Sequence, residues 1–398
     1  MIKAFKYRIY PTKEQQSSLN KHFGCCRYIY NWGLDLSNKL YKEKKKSFSW
    51  IEIANEIPKL KKQEDTKWLK EVNSQSLQSA IKNLDKAFSR FFKKQGKFPQ
   101  FKSKRDKQSF QIPQNLYINK EKSIISIPKV DGEIKTVFHR DFKGEIGTTT
   151  VSKNKANQYF VSIQVEIKET PKNKEKPCRE KSIGIDLGIK DFAVLSNGER
   201  IANPNITKKY EDRLSKLQKD ISRKQKDSNN RKKSIVKFAK LWQHITDKKN
   251  DFLHKLSHKI VSENKTICLE DLNVAEMLKN HNLAKSISRV SWGEFIRQLK
   301  YKSEWNGVNV IEINMFSPSS KMCNNCGDIK KNLTLKDRIW TCKNCGSIID
   351  RDLNASKNIL DFAFHPKNKM GQELSCKPME KFPLLNIRKN NKQEISKK

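Results

Sequence analysis

Ile183-Gly184-Ile185-Asp186-Leu187-Gly188 is a short apolar run that carries a single carboxylate near its end. The pattern returns at Ile267-Cys268-Leu269-Glu270, where a second apolar run also finishes on an acid. A third motif, Asp350-Arg351-Asp352-Leu353-Asn354-Ala355, places an acid where a loop becomes a helix. Each acid alone has an ordinary structural explanation, a turn cap for Asp186 and a helix N-cap for Asp352. The three motifs together call for a shared explanation.

The shared explanation is a metal-dependent phosphodiester hydrolase. Two carboxylates at strand ends and a third at a late helix start match the α/β arrangement with which RNase H-like nucleases hold two Mg²⁺ ions. Carboxylate oxygens are hard ligands, which favours Mg²⁺ over zinc. Neighbouring strand residues point to opposite faces, so only one of Glu270 and Asp271 can share a face with Asp186. The candidate ligands are therefore Asp186, one of Glu270 and Asp271, and Asp352, with Asp350 as the alternative to Asp352.

Four cysteines predict a second, different metal site. Cys323 and Cys326 form one Cys-x₂-Cys pair, Cys342 and Cys345 form another, and fifteen residues separate them. This spacing falls in the zinc-ribbon range, and a glycine after each pair permits a tight knuckle. Four thiolates would complete a tetrahedron and leave no position for water, which predicts a structural Zn²⁺. The remaining cysteines have no such spacing and are expected to be plain thiols: Cys25, Cys26, Cys178, Cys268 and Cys376.

The charge of the chain predicts a nucleic-acid partner. Its 398 residues include 83 Lys and Arg against 43 Asp and Glu, a net charge of +40 spread over most of the length. Such a surface gains affinity for a phosphate backbone by releasing counterions. No apolar run reaches the roughly 20 residues needed to span a bilayer, and the first residues do not form a signal peptide. We therefore expect a protein of the bacterial cytosol or nucleoid with no membrane partner.

The first half of the chain predicts a strand, helices and a small β domain. Phe5 to Tyr10 alternates like a strand, Thr12-x-x-Gln15 predicts a helix capping box, and a stripe from Leu77 to Phe91 predicts a second helix. From Tyr117 to Ile167, short alternating runs separated by glycines favour a small barrel or sandwich. Pro171 to Pro177 is polar and bounded by proline, which predicts a linker.

A basic segment, Phe91 to Phe110, begins at the end of the second predicted helix. Its aromatics alternate with cations, a mixture that can stack bases while it neutralises phosphates, or that can simply anchor a basic loop to the core. The candidate nucleic-acid-binding residues are Lys93, Lys94, Lys97, Lys102, Lys104 and Arg105.

The second half predicts further elements around the acidic motifs. Ser182 to Ile189 and Phe192 to Ser196 indicate a strand pair, and Thr266 to Glu270 and Val308 to Ile313 indicate further strands. Two helical stripes, broken by Asp227 to Asn230, predict an antiparallel helical hairpin rather than a partner-binding coiled coil. The last helix is expected from Ala355 to Phe364.

Several motifs resemble the TnpB (OrfB) proteins of bacterial insertion sequences, relatives of type V CRISPR effector nucleases. The matching stretches are KAFKYRIYPTKEQ from Lys3, GKFPQFK from Gly96, GIDLGIKDFAVLSNGE from Gly184, LEDLNVAEMLKN from Leu269, SWGEFIRQLKYK from Ser291, SPSSKMCNNCG from Ser317, WTCKNCG from Trp340 and DRDLNASKNI from Asp350. The resemblance covers roughly Met1 to Asp361.

This resemblance implies an RNA-guided DNA endonuclease with catalytic acids at Asp186, Glu270 and Asp352. It implies a RuvC-like nuclease domain with an inserted zinc ribbon, preceded by a small WED-like β-barrel with a REC-like helical insertion. The partners would be a guide RNA derived from the transposon end and a double-stranded DNA target read beside a short flanking motif. The oligomeric state is left open.

The corresponding domain boundaries are a nucleic-acid-binding lobe at 1–170, a linker at 171–181, the nuclease domain at 182–365 and a disordered tail at 366–398. Within the lobe, the barrel takes 1–10 and 115–168 and the helical insertion takes 12–110. The ribbon is expected at 317–349.

Three alternatives compete with the nuclease interpretation. A transposase that joins transposon ends through a tyrosine needs a histidine pair, and the sequence has no His-x-His. The loss of any of the three acids would support a nuclease-inactive, RNA-guided DNA-binding repressor, and all three acids are present. A zinc-ribbon factor without enzymatic activity leaves the acidic motifs unexplained.

Overall fold

The computed structural model describes residues 1–44, 49–168, 173–334 and 337–364. The expected tail at 366–398, with Cys376, lies outside the described residues. Two compact units divide the chain, one of residues 1–170 and 219–241 and the other of residues 171–218 and 242–398. The first of these takes in 219–241, a stretch that the expected domain boundaries leave in the nuclease half.

The first unit contains a curled antiparallel sheet of seven strands. The strands are β1 (Ile2–Tyr10), β2 (Gln108–Ile112), β3 (Tyr117–Asn119), β4 (Ile124–Ser126), β5 (Ile134–Val137), β6 (Glu145–Lys153) and β7 (Tyr159–Glu166), in the order β2-β6-β7-β1-β5-β4-β3. Buried and exposed side chains alternate along β7, as its sequence predicts. Strand β2 falls at the end of the stretch expected to be helical, because it pairs with β6 rather than with its neighbours in sequence.

Four helices of the first unit precede the linker, and the first and last of them contact strand β2. They are α1 (Lys13–Lys44), α2 (Trp50–Asn55), α3 (Ile57–Leu60) and α4 (Ser74–Phe92), with a 3₁₀ helix at Glu64–Glu71 between the last two. The predicted capping box is confirmed, since Thr12 and Gln15 exchange backbone-to-side-chain hydrogen bonds of 3.0 and 3.3 Å. Gly33 lets α1 approach α4, because a Cβ there would lie 2.6 Å from Ile81 Cδ1.

The second unit is built on a mixed five-stranded sheet. Its strands are β8 (Ser182–Leu187), β9 (Asp191–Leu195), β10 (Arg200–Ala202), β11 (Thr266–Glu270) and β12 (Asn309–Ile313), in the order β10-β9-β8-β11-β12. Strands β8, β11 and β12 run parallel, and β9 pairs antiparallel with β8 as predicted. Residues 266–269 of β11 are all buried, which matches a central strand covered on both faces.

The remaining helices follow in chain order. They are α5 (Ile206–Lys209), α6 (Glu211–Arg223), α7 (Asn229–Glu263), α8 (Val274–Met277), α9 (His281–Val290), α10 (Trp292–Asn306) and α11 (Arg351–Ala363), with a small hairpin of β13 (Ile339–Thr341) and β14 (Ile348–Asp350) before α11. The predicted helical hairpin is confirmed at its turn, where Ser234 donates to Asp220 across 2.7 Å.

Helix α11 begins at Arg351, four residues earlier than predicted. Among the described residues, none of the helices has the length and apolar character that a membrane crossing requires.

Candidate active site and metal centre

The parallel strands β8 and β11 bring the first two acidic motifs together. Their register ends with Leu269 opposite Ile185, so Glu270 and Asp186 each lie one residue beyond that pair. Positions one step along in both strands share a face of the sheet. Glu270, and not Asp271, therefore lies on the same face as Asp186, at the carboxyl ends of these parallel strands.

Helix α11 carries the third motif across this sheet because Gly184 has no side chain. A Cβ on Gly184 would lie 2.1 Å from the carbonyl oxygen of Ser356 and 2.9 Å from the amide nitrogen of Leu360. The backbone of α11 thus rests directly on β8, two residues before Asp186 in the strand. This close approach sets the first turn of α11, with Asp352, beside the strand ends.

The pKa of Asp186 shows that the other two carboxylates lie near it. Burial raises the pKa of Asp186 to about 8, the charges of Glu270 and Asp352 act in the same direction, and Arg351 and Arg338 oppose them. Burial also raises the pKa of Glu270, although a hydrogen bond from Ser319 Oγ lowers it. Like charges near one another disfavour ionisation, and a cation placed among them would reverse that effect.

Asp352 is held by two arginines. Arg338 donates to both of its carboxylate oxygens, at 3.2 and 2.9 Å, and Arg351 donates to Oδ1 at 3.2 Å. The Asp352 side chain is 17 % exposed, so it is partly shielded from water. The site therefore combines three acids with two cations at its edge.

Asp350, the alternative ligand, has a different role. Its carboxylate accepts the backbone N–H of Leu353 at 2.9 Å, which makes it the N-cap of α11. It also pairs with Arg200 at 2.6 Å. Burial acts to raise the pKa of Asp350, but the Leu353 hydrogen bond and Arg200 outweigh it and lower the pKa. The N-cap of α11 is therefore Asp350, and Asp352, which was considered for that role, lies inside the first turn.

The four cysteines form the second cluster. Cys323 Sγ lies 3.7 Å from Cys345 Sγ, Cys326 Sγ lies 3.6 Å from Cys342 Sγ, and all four sulfurs lie within 4.8 Å of one another. A tetrahedron with bonds of about 2.3 Å separates its sulfurs by about 3.8 Å. In the described part of the chain, this is the one set of three or more His, Cys, Asp or Glu side chains gathered closely enough for a single ion. The acids of a two-metal site surround a pair of ions ~3.5–4 Å apart and need no such convergence.

Matching knuckles hold the two cysteine pairs. Gly327 N–H donates to the carbonyl of Cys323 at 2.9 Å, and Gly346 N–H donates to that of Cys342 at 3.0 Å. Both glycines have positive φ, 80° and 69°, a region that favours glycine. The predicted role of these glycines is confirmed.

Sequence reasoning missed the asparagines that fasten the cysteine cluster to α11. Asn354 and Asn358 are buried, and each donates to the carbonyl of Met322 at 2.7 Å, directly before Cys323. Asn354 also accepts the backbone N–H of Asn324 at 2.9 Å. Two asparagines four residues apart lie on one helix face, so their spacing was the available signal. The cluster and the helix that carries Asp352 are therefore one hydrogen-bonded assembly.

The basic segment lies on the surface of the first unit. All six candidates are exposed: Lys93, Lys94, Lys97, Lys102, Lys104 and Arg105. Lys102 also makes contacts within the chain, because its Nζ lies 3.6 Å from the centre of the Tyr30 ring and its backbone N–H donates to Asn31 Oδ1. Phe110 is buried in the core and anchors the segment, whereas Phe92 and Phe101 are 68 % and 59 % exposed. The segment thus contains both a buried aromatic that anchors it to the core and exposed aromatics at its surface.

Comparison with known proteins adds three family matches. A family described as "Probable transposase" (OrfB of IS605) matches residues 162–281, the Cas12f1-like TNB domain matches 292–359, and an OrfB helix-turn-helix domain matches 1–46. In this structure residues 2–44 form strand β1 and the single helix α1.

Two matching solved structures have TM-scores below 0.5 and low sequence identity. A complex titled Cas12f1–sgRNA–target DNA has a TM-score of 0.48 and 13% identity, and covers 90% of this chain and 98% of its own. A mini-RNA-guided endonuclease titled CRISPR-Cas_phi3 has a TM-score of 0.49 and 10% identity, with 94% of each chain covered.

Similar curated proteins cover almost the whole chain. A Streptomyces pristinaespiralis protein named "Putative RNA-guided DNA endonuclease" is 39% identical over 361 residues, 90% of this chain and 88% of its own. InsQ of Escherichia coli K12, named in the same way, is 30% identical over 90% of this chain and 92% of its own. The TnpB-like protein L79 of Acanthamoeba polyphaga mimivirus is 29% identical, and the match covers 92% of this chain and 74% of its own. With identities of this size over nine tenths of its length, the chain belongs to the TnpB (OrfB) family.

Proposed function

We propose that this protein is an RNA-guided DNA endonuclease encoded by an insertion sequence. The observation that carries the proposal is the meeting of Asp186, Glu270 and Asp352: burial raises the pKa of Asp186, and the charges of Glu270 and Asp352 raise it further. We assign the β8–β12 sheet with α11 to an RNase H-like (RuvC) nuclease domain, the seven-stranded sheet to a WED-like domain, and helices α1–α4 to a REC-like insertion. The names of the similar curated proteins support the same activity.

The proposed chemistry is metal-dependent hydrolysis of a phosphodiester. When bound, two Mg²⁺ ions supply the positive charge that stabilises the attacking and leaving oxygens. Asp186, Glu270 and Asp352 would hold the metal, with Asp186 as the buried acid whose pKa both of the others raise. The Ser319 hydroxyl donates to one carboxylate oxygen of Glu270 and so restrains that side chain. Arg338 and Arg351 hold Asp352 at the edge of the site.

The proposed role of the cysteine cluster is a structural zinc ribbon. The sulfur separations of 3.6 and 3.7 Å fit tetrahedral Zn²⁺, and the four thiolates Cys323, Cys326, Cys342 and Cys345 fill all of its positions. Hydrogen bonds to Ser347 lower the pKa of Cys345 to about 6, which favours the thiolate that a metal needs. Because Asn354 and Asn358 bond the first knuckle, a bound zinc would also brace the helix that carries Asp352.

The proposed partners are a guide RNA from the transposon end and a double-stranded DNA target, in the bacterial cytosol. Base pairing would choose the sequence, while the protein would read backbone shape and a short flanking motif. The basic segment supplies exposed cations for the phosphate backbone. The net charge of +40 suits a chain that must hold both an RNA and a DNA.

The test begins with RNA that co-purifies with the full chain. Sequencing that RNA identifies the guide, and DNA that matches the guide next to a randomised flank is then incubated with the complex and Mg²⁺. We expect cleavage that requires both the guide match and a particular flank, and that stops when EDTA removes the metal. Guide-dependent binding with no cleavage would favour the repressor, and joined DNA ends would favour the transposase.

A further inference from the structure

A groove on the first unit has no role in the chemistry described above. Its wall on α1 consists of Lys21, Gly24, Tyr28 and Asn31, which recur every three or four residues and so lie on one helix face. The opposite wall is the 3₁₀ helix, with Trp68 and Glu71. The groove encloses about 470 Å³, within the ~300–1,000 Å³ of small-ligand sites.

Gly24 has no explanation inside the chain. Glycine is the least favourable residue in a helix interior after proline, and Gly24 lies within the 32-residue helix α1. Gly33 of the same helix is required by packing, because a Cβ there would collide with Ile81. A Cβ on Gly24 would meet no atom within 4 Å. The space above Gly24 therefore suits something that is not part of this chain.

Two aromatic rings stand beside that space. Tyr28 and Trp68 are 36 % and 38 % exposed, and their ring centres lie 5.0 Å apart at an angle of 71°. Trp68 Nε1–H donates to the carbonyl of Asp65 at 2.9 Å, which fixes the indole. Rigid, half-exposed rings are surfaces on which an unpaired base stacks.

The charges at the groove favour an anionic ligand. Its one carboxylate, Glu71, is paired with Lys21. Arg27 also lines the groove, and a 2.8 Å hydrogen bond to Gln108 Oε1 holds its guanidinium in place. Asn31 bonds the backbone of Lys102 at 2.8 and 2.9 Å, which joins the groove to the basic segment.

We propose that this groove binds one unpaired nucleotide of the nucleic acid that the protein carries. The base would stack on the exposed face of one of the two rings, Tyr28 or Trp68, and meet the edge of the other. The sugar-phosphate backbone would pass over Gly24, and Arg27 would face the phosphate. The proposal rests on the proposed function, since it names a binding site within it. The nucleotide comes from either the RNA or a DNA strand, and the experiment separates these sources.

The decisive variant is Gly24→Leu, because Gly24 lines the groove and a Cβ there meets no atom of the chain within 4 Å. Gly293→Leu is the matched control, because Gly293 also lies in a helix where a Cβ meets no atom within 4 Å. Full-length protein is freed of bound nucleic acid and titrated with fluorescein-labelled single-stranded RNA, and separately with DNA of the same sequence, at several salt concentrations. Loss of one stacked base corresponds to about 5- to 150-fold weaker binding.

We expect Gly24→Leu to weaken binding of one of the two strands by that factor, with the slope of log affinity against log salt unchanged, because the cations that neutralise phosphates all remain. Trp68→Ala should do the same, and wild-type protein should crosslink 4-thiouridine RNA or 4-thiothymidine DNA at the peptide containing Tyr28 or Trp68. Gly293→Leu should bind like wild type.

Equal binding by folded Gly24→Leu and wild type would overturn the groove assignment alone. Absence of nucleic-acid binding by wild type would instead overturn the proposed function.

Discussion

At the scale of single residues, two carboxylates of one motif have separate roles. Asp350 caps α11 and pairs with Arg200, and Asp352, two residues later, faces Asp186 and the two arginines. The cap stabilises the helix, whereas Asp352 contributes to the charge of the acidic site. Substitutions at these two positions should therefore separate folding from cleavage.

We predict that Asp352→Ala lowers guide-dependent DNA cleavage by more than about 100-fold while the thermal unfolding temperature stays near that of wild type. Asp350→Ala should do the reverse. It should cost about 1 kcal/mol of folding free energy through the lost cap and keep most of the cleavage. Thermal unfolding and cleavage rates of both variants provide the check. Loss of cleavage in folded Asp350→Ala would move the ligand role to Asp350.

His22 gives a residue-scale prediction about pH. Its Nδ1 lies 2.9 Å from the carbonyl of Ser18, its Nε2 accepts the backbone N–H of Asn73 at 3.3 Å, and its ring stacks on Phe110. Burial lowers the pKa of His22 below its usual 6.5. The folded state thus favours the neutral ring, so its contribution to stability is present above pH 6.5 and is lost as the pH falls through that value towards the folded pKa.

We therefore expect the unfolding temperature of wild type to fall as the pH drops below about 6.5, and His22→Gln to reduce that fall because glutamine does not titrate. Thermal unfolding over a series of pH values measures it. The same substitution at the exposed His258 serves as the control. An identical pH dependence in wild type and His22→Gln would contradict the account.

The sequence allowed some of these residue roles to be predicted and not others. An apolar run that ends in an acid placed Asp186 and Glu270 at strand ends, and the register of β8 and β11 agrees. The choice of N-cap at the third motif could not be predicted, because it depends on whether the helix starts at Arg351 or at Ala355. A start at Ala355 would leave both aspartates before the helix, whereas the observed start at Arg351 puts Asp350 at the N-cap and Asp352 in the first turn.

At the scale of elements, the cysteine cluster and α11 depend on one another. The buried asparagines Asn354 and Asn358 donate to Met322, so the first knuckle holds the helix in place. The helix in turn rests on β8 at Gly184. A substitution that disturbs the cysteine cluster should therefore also disturb the position of Asp352 on α11.

We predict that Cys323→Ser releases about one zinc per chain and destabilises the second unit, because a structural zinc contributes folding free energy directly. The unfolding temperature should fall by at least ~2–4 °C, the shift that ~1 kcal/mol produces in a unit of this size. Elemental analysis and thermal unfolding test it, with Cys178→Ser, outside the cluster, as control. Freshly purified wild type without zinc would refute the ribbon.

The periodicity of the sequence predicted whether a segment is a helix or a strand more readily than where the segment ends or which strand it pairs with. The stripe from Leu77 to Phe91 predicted α4, and its inner residues are fully buried. Strand β2 was missed because it follows the basic segment and pairs with β6, some forty residues later. Long-range pairing of this kind leaves no periodic mark in the local sequence.

At the scale of the whole molecule, the net charge of +40 is the feature that favours binding to nucleic acids. The composition alone predicted a nucleic-acid partner. It did not predict that residues 219–241 group with the first unit, since that grouping depends on tertiary packing. It also did not predict that Lys102, unlike its neighbours in the basic segment, lies over the ring of Tyr30.

We predict that reversing Lys93, Lys94, Lys97 and Arg105 to Glu weakens nucleic-acid binding and flattens its salt dependence. Every phosphate that the variant no longer neutralises should reduce the slope of log affinity against log salt by roughly one. Folding should persist, since all four side chains are exposed. Binding titrations at several salt concentrations measure the slope, and circular dichroism checks the fold. An unchanged slope would show that the segment is a solvated loop.

The central claim is that Asp186, Glu270 and Asp352 form the metal-dependent nuclease site. The most direct measurement is single-turnover cleavage of guide-matched DNA by Asp186→Ala loaded with its RNA, in the presence of Mg²⁺, beside target binding by the same complex. Our account predicts target binding like that of wild type and a cleavage rate reduced by more than about 100-fold, because the variant loses a metal ligand and keeps the phosphate-binding surface. Cleavage by Asp186→Ala at a rate near that of wild type would contradict it.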